Sequence, residues 1–231
     1  MCGRFSQADG GKGILEHLGI FNAAFAAPAR YNIAPSQLAV VIRRLPDQNI
    51  PVASLLRWGL IPHWAKDPMI GMRLINARSE TVAEKPSFRE AFVRRRCLIP
   101  TNGFYEWQGK GRDKQAYFIG MADHQSFAIG GLWESWQSSE TTRIETFTIL
   151  TTRANACVAP IHDRMPVIVA CEHYAPWLDH GTPMPVCSMA GILSPFPAAR
   201  MVSHPVSDWV NNPAHDSELC VQPVDVQKSL W

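Results

Sequence analysis

Phe127-Ala128-Ile129-Gly130-Gly131-Leu132-Trp133 is a short, wholly apolar run, and such a run reads as a buried strand rather than a solvated helix. Moving outward, further apolar or alternating runs bounded by proline and glycine occur at Leu38 to Arg43, Val52 to Trp58, Cys97 to Ile99, Ala116 to Met121, Thr146 to Leu150 and Val167 to Ala170. Helical stretches are fewer and shorter: Gly13 to Leu18, Ser87 to Arg95 after the helix-starting Pro86, and Glu172 to Leu178. The pattern predicts an α+β class. Its expected form is a single domain over residues 1–231, with a strongly curved, mostly antiparallel, barrel-like sheet flanked by helices.

A chain of 231 residues with 46% hydrophobic content has apolar material for one large core. Its 18 prolines are spread along the whole length, so they make turns rather than a linker between two halves. The segment Gly109-Lys110-Gly111-Arg112-Asp113-Lys114 reads as an ordinary solvated hairpin connection. A formal net charge of +2 does not mark a general nucleic-acid binder, so any phosphate binding must come from a local basic cleft. No basic segment leads into an apolar export region and no stretch reaches membrane-spanning length, which gives the expectation of a cytoplasmic protein with no membrane partner. Cys2, Cys97, Cys157, Cys171, Cys187 and Cys220 form no CxxC pair, so reduced thiols are expected rather than a disulfide framework. The spacing of Cys171, His173 and Cys187 fits no common zinc pattern. Neither a metal nor a nucleotide cofactor is implied.

Cys2 follows Met1 directly. Loss of Met1 would leave one residue carrying both a free α-amine and a thiol, a pair able to capture an aldehyde: the amine condenses to a Schiff base, and the thiol adds to the same carbon and closes a thiazolidine. The amine titrates near ~7.8 and the thiol near ~8.5, against ~10.4 for lysine, so a useful fraction is nucleophilic at neutral pH. Taken alone, Cys2 reads first as an incidental early cysteine, and the rest of the chain reverses that order.

Several polar segments exceed what a fold alone requires: Arg30-Tyr31-Asn32-Ile33-Ala34-Pro35, Asn76-Ala77-Arg78-Ser79-Glu80, Gly103-Phe104-Tyr105-Glu106-Trp107 and Ile161-His162-Asp163-Arg164-Met165-Pro166. Glu106, among aromatic residues, would hold a proton near neutrality if its carboxyl is buried with them; on a strand it could equally face solvent. His162 titrates near neutral pH and has Asp163 and Arg164 beside it, although a lone loop histidine often only caps a strand. Asn76 and Arg78, spaced to share one face of an extended segment, could serve a cleft or belong to a structural network with Glu80. Trp64, in the polar loop after Pro62-His63, could stack on a base. The run Arg94-Arg95-Arg96 reads as the decoration of a helix end.

These segments, with Met1-Cys2-Gly3-Arg4-Phe5, Trp58 to Trp64, His204-Pro205-Val206-Ser207 and Val210-Asn211-Asn212, resemble the SOS-response-associated peptidase family, single-domain proteins that cross-link to abasic DNA. The resemblance runs nearly end to end. It implies removal of Met1 and a thiazolidine between Cys2 and the ring-opened sugar of an abasic site in single-stranded DNA, the expected partner of a monomeric protein that joins the nucleoid when on DNA. It places Asn76 beside Cys2. It gives Glu106 proton transfer during sugar opening and Schiff-base formation, with a share in the release of Met1. His162 would act in ring opening, contact with the adjacent phosphate and reversal of the cross-link. Arg4, Asn32, Pro35, Arg78 and Arg164 match DNA-contacting segments, and Thr151 lies close to the sugar in the same comparison. Asp208-Trp209 departs from the pattern, where a smaller or basic pair is expected. Two other readings stay open: a thiol peptidase with Cys2 as nucleophile, acting on itself or on other proteins, and a non-covalent DNA binder in which Cys2 is passive.

Overall fold

The computed structural model describes residues 2–20, 27–45, 48, 50–109, 111, 114–138, 143–181 and 186–225, without the side chains of 186–188. The chain runs β1 (Phe5–Gln7), α1 (Lys12–His17), β2 (Arg30–Ile33), β3 (Leu38–Arg43), β4 (Val52–Trp58), β5 (Asn76–Arg78), α2 (Arg89–Arg94), β6 (Arg96–Thr101), β7 (Gly103–Gln108), β8 (Gln115–Met121), β9 (Phe127–Gln137), β10 (Arg143–Arg153), β11 (Arg164–Pro166), β12 (Ile168–Val169), α3 (Tyr174–Leu178), α4 (Val186–Leu193) and β13 (Met201–Pro205).

The opening run is the first part of β9, and its pairing decides the architecture. β9 is antiparallel to both β6 and β10; β10 runs parallel to β4, and β4 and β6 each pair with β3. The hydrogen-bonded circuit β10-β4-β3-β6-β9 therefore closes into a barrel. Gly131 stands where β9 is held on both sides, opposite Cys97 and Ile149. A Cβ there would lie 2.4 Å from Ile99 Cδ1 and 2.7 Å from the Thr148 carbonyl, so only glycine lets the strands approach this closely. A second, antiparallel sheet in the order β13-β8-β7-β1-β2 packs beside the barrel.

One apolar cluster fills the barrel and the space between the two sheets. Val41, Leu56, Trp58, Ile99, Ile129 and Phe147 come from the barrel, and Phe5, Ile33, Phe104 and Ile119 from the second sheet. Trp58 joins them: its ring meets Phe5 edge-on at 5.1 Å and stacks near Phe147 at 6.2 Å. A second cluster lies outside the barrel, where Ile14, Leu15, Phe88, Ala91, Trp177 and Leu178 pack the helices onto Leu98, Leu132 and Leu150. Alternate residues of one strand thus serve two cores, as strand geometry requires.

The expected strands all appear, and β3 and β4 keep their expected limits. The helix expected over Glu172 to Leu178 divides into a 3-10 turn, Cys171–His173, followed by α3. The run Arg94-Arg95-Arg96 does close a helix: Arg96 enters β6 but its guanidinium donates to the Phe92 and Val93 carbonyls of α2. Gln108 pairs with Gln115 across the expected hairpin, whose residues 110, 112 and 113 lie outside the described residues. No described helix is long and apolar enough to cross a membrane.

Candidate active site

Cys2 leads into β1 of the second sheet and belongs to the apolar cluster between that sheet and the barrel, where it is completely buried. Its thiol points toward the Arg4 carbonyl at 3.8 Å. Burial, reinforced by the charge of Glu106, pushes the thiol pKa far above its ordinary value, so the sulfur is protonated at neutral pH. The Asn76 side-chain amide donates to the Cys2 carbonyl at 2.8 Å. β5 is held for this contact by β10, with Asn76 opposite Ile149 and Arg78 opposite Thr151. Trp58 Nε1 adds a bond to the Ile75 carbonyl at 2.8 Å. Asn76 Oδ1 is buried with no hydrogen-bond partner among the described residues, which leaves an acceptor ready beside Cys2.

Glu106 does not face solvent. β7 buries it to 2% exposure, because this end of the strand is covered on both faces. Burial, with the charge of Asp163 adding to it, raises the carboxyl pKa from 4.5 to about 7. The group is poised to give or take a proton at neutral pH.

His162 ends a turn built on Asn155, whose Oδ1 accepts from the Cys157 and Val158 amides at 3.0 and 3.1 Å. Its Nδ1 accepts from the Arg164 backbone amide at 2.9 Å. Burial lowers the His162 pKa and outweighs the opposing charge of Asp163, so the neutral ring prevails at pH 7. Asn155, missed in the sequence, has the ordinary signature of a turn-forming side chain and nothing more.

The residues expected to meet DNA fall into two groups. Arg78 and Trp64 are exposed, Trp64 at 50%. The Trp64 loop is rigid: Ile61 N donates to Thr146 Oγ1 at 3.0 Å, Trp136 Nε1 donates to the Ala65 carbonyl at 2.7 Å, and His63 lies 3.4 Å from Glu134. Gly59 makes the turn possible, with φ of 123° and its Cα packed against the Gly71 carbonyl. Pro35 is half-buried beside Ser36, whose amide donates to the Trp58 carbonyl at 2.8 Å.

The others are engaged inside the protein. Asn32 has no exposed surface, and its amide donates to the carbonyls of Val210, Asn212 and His215. Arg4 donates to Asn32 Oδ1 and the Val210 carbonyl at 2.6 and 2.7 Å. Together they clamp the C-terminal segment. In this conformation the Asn32 side chain therefore offers DNA no contact. Thr151 is fully buried. Arg164 forms a two-pronged pair with Glu80, at 2.6 and 2.9 Å, and also donates to the Thr151 carbonyl at 2.7 Å. In this conformation its guanidinium is paired within the protein. Trp209 lies flat on His215, with ring centres 3.5 Å apart.

Among the described residues no His, Cys, Asp or Glu group is arranged to hold a metal ion. Asn76 and Glu106 instead stand beside Cys2, and His162 lies on the turn that leads into β11. Known proteins resemble this chain over nearly its whole length. Abasic site processing protein YoqW of Bacillus subtilis is 40% identical over 225 residues, covering 96% of this chain and 99% of the relative. YoaM of the same organism is 39% identical over 221 residues, covering 94% and 96%. A crystal structure from Bacteroides thetaiotaomicron superposes with a TM-score of 0.81 at 26% identity, covering 96% of this chain and all of that one. The family model described as SOS response associated peptidase matches residues 1–213, and the chain belongs to that family.

Proposed function

We propose that this protein processes abasic sites in single-stranded DNA, capping them covalently through Cys2 after Met1 is removed. The observation that carries the reading is the Asn76 bond to the Cys2 carbonyl, in a pocket where Glu106 has a pKa of about 7. The relatives YoqW and YoaM are both named abasic site processing proteins, which supports the substrate.

Removal of Met1 turns the Cys2 amide nitrogen into a free amine. The amine attacks the aldehyde of the ring-opened sugar and forms a carbinolamine. Glu106 in its acid form protonates the departing hydroxyl, water leaves, and an iminium remains. Glu106, now a carboxylate, takes the thiol proton, and the sulfur adds to the iminium carbon. The balance is one thiazolidine and one water. Because burial keeps the thiol protonated, the amine acts first and the sulfur needs this base. His162, neutral at pH 7, supplies the proton transfer that opens the sugar, and Asn76 fixes Cys2 and receives a donor at Oδ1. Arg78 meets the phosphate and Trp64 stacks on a neighbouring base, an interaction worth about 1–3 kcal/mol.

A thiol peptidase acting on other proteins has less support: a buried, protonated thiol is a poor acyl-transfer nucleophile. Release of Met1 would be the chain's own peptidase event.

Intact mass spectrometry before and after mixing with an oligonucleotide carrying one abasic site tests the proposal. Loss of Met1 followed by a one-to-one adduct mapped to Cys2 is the expected result, and a mature Cys2 that forms no adduct refutes it. Cys2→Ser retains the amine but not the thiol. It should still cleave the strand by β-elimination from the Schiff base while losing the heat-stable adduct.

A further inference from the structure

The register across β5, β10 and β11 sets one continuous face. Arg78 stands opposite Thr151, and Arg153 opposite Arg164. Directly paired residues share a face, and so do residues two apart along a strand. Asn76, Arg78, Thr151, Arg153 and Arg164 therefore lie on the same side of the sheet. Asn76 bonds the Cys2 carbonyl, so this side runs outward from the candidate active site. Two residues of strand cover about 6.6 Å, a step of the same order as the repeat of an extended sugar-phosphate chain. One such step from Asn76 reaches Arg78 and its neighbour Thr151, and the next reaches Arg153.

Arg153 is exposed at the end of β10, as Arg78 is at the end of β5, and neither has an ion-pair partner among the described residues. The acid of this face, Glu80, accepts from Arg164 at 2.6 and 2.9 Å. Its carboxyl is held below the ordinary range, first by the Arg164 bond and also by the charges of Arg164 and Arg153. Three arginines thus meet one carboxylate here, in a chain whose whole net charge is +2. Past the end of the row, between the β5 exit, β10 and the end of α4, lies a surface hollow of about 320 Å³. Arg153 and Glu80 line it together with Ser79 and Ser194, and Leu193 and Pro195 give it an apolar wall. Its volume sits at the lower end of the range for small-ligand sites, ~300–1,000 Å³, so it has room for one nucleotide unit and not for a run of them.

Resting on the function proposed above, we infer that Arg153 binds the phosphate of a nucleotide flanking the abasic residue, one step beyond the phosphate met by Arg78, and that the hollow beside it gives that nucleotide room. A guanidinium suits the role, because its planar fork of donors matches two phosphate oxygens. Contacts of this kind fix the register of a strand on the protein and carry no sequence information. Arg153 therefore serves to bring the abasic sugar to Cys2 whatever bases lie on either side. The contact needs no aldehyde, so it belongs to holding the strand and not to the reaction.

Fluorescence anisotropy of the mature protein with a labelled single-stranded oligonucleotide reads the contact. The probe carries a tetrahydrofuran abasic analogue, which has no aldehyde and cannot cross-link, with several nucleotides on each side. Arg153→Gln should weaken binding about two- to fivefold at low salt, the scale of one exposed charge pair, and reduce the magnitude of the log-log salt slope by about 0.7. Arg153→Lys keeps the charge and should restore the slope. Two shorter probes, with the analogue as the 5′-terminal or the 3′-terminal residue, locate the nucleotide: the difference between wild type and Arg153→Gln should vanish on one and persist on the other. Equal affinity and slope for wild type and Arg153→Gln overturn the proposal. A difference that persists on both shorter probes also overturns it, being the mark of a diffuse field rather than one seated nucleotide, and so does a difference that vanishes on both. Because the probe has no aldehyde, failure of this inference is separable from failure of the abasic-site reading, which the wild-type adduct reports.

Discussion

Glu106 concentrates the cost and the use of the site in one carboxyl. Its folded pKa of about 7 lies above the ordinary 4.5, so it favours the folded state below about pH 4.5, and that contribution is lost as pH rises through about 7. The gap corresponds to roughly 3 kcal/mol. Glu106→Gln does not ionise. Relative to wild type, the variant should therefore gain up to about 3 kcal/mol in denaturant melts between about pH 4 and about pH 8, while its adduct formation falls by ~10²–10⁴. A variant equally destabilised at both pH values would mean that the carboxyl is not paying a burial cost. Cys2 drew attention because a cysteine after Met1 has chemistry no internal cysteine has, whereas Asn76, Glu106 and His162 were singled out by the family resemblance, and only the fold shows that Glu106 is buried. The Arg164–Glu80 pair was not legible, since the two residues lie 84 apart in the chain and nothing local marks the pairing.

At the scale of elements, β9 was the clearest strand in the sequence and proved to be the seam of the barrel. Its apolar run shows burial on both faces but not which strands flank it. Short strands such as β1, β5 and β11, three residues each, fall below any window in which alternation can be counted; their partners make them strands. α4 escaped notice because Val186 to Leu193 has no charged face to reveal a helical period. Gly131→Val should cost about 1–3 kcal/mol by overpacking, lowering the melting temperature by about 2 to 4 °C per kcal/mol. The Arg4–Asn32 clamp predicts a different failure. Asn32→Ala removes the side-chain amide that serves the Asn212 and His215 carbonyls, while Arg4 still serves Val210, at about 1–3 kcal/mol for a buried group left unpaired. Hydrogen exchange should quicken in residues 208–215 while the barrel stays protected, and uniform acceleration would show that the clamp belongs to the global core.

Over the whole molecule, a net charge of +2 gives no broad field to hold DNA, so affinity must come from a few residues on one face. With Arg164 paired internally, Arg78→Ala should weaken single-stranded DNA binding uniformly across sequences and reduce the magnitude of the log-log salt slope by about 0.7 to 1. An unchanged slope would place the phosphate elsewhere. The α+β class and curved sheet followed from the strand runs, but closure of the barrel depended on the parallel pairing of β10 with β4, which no stretch of sequence announces.

The depth of Cys2 in the core also bears on how the protein can be handled. Any peptide fused ahead of Met1 and left uncut keeps the Cys2 nitrogen acylated. Such a fusion could be well folded, pure and still bind DNA, yet it would score as inert in every adduct assay. Purification handles and fluorescent labels placed at that end need a protease that cuts cleanly before Cys2, or the reagent itself blocks the proposed reaction it was made to report.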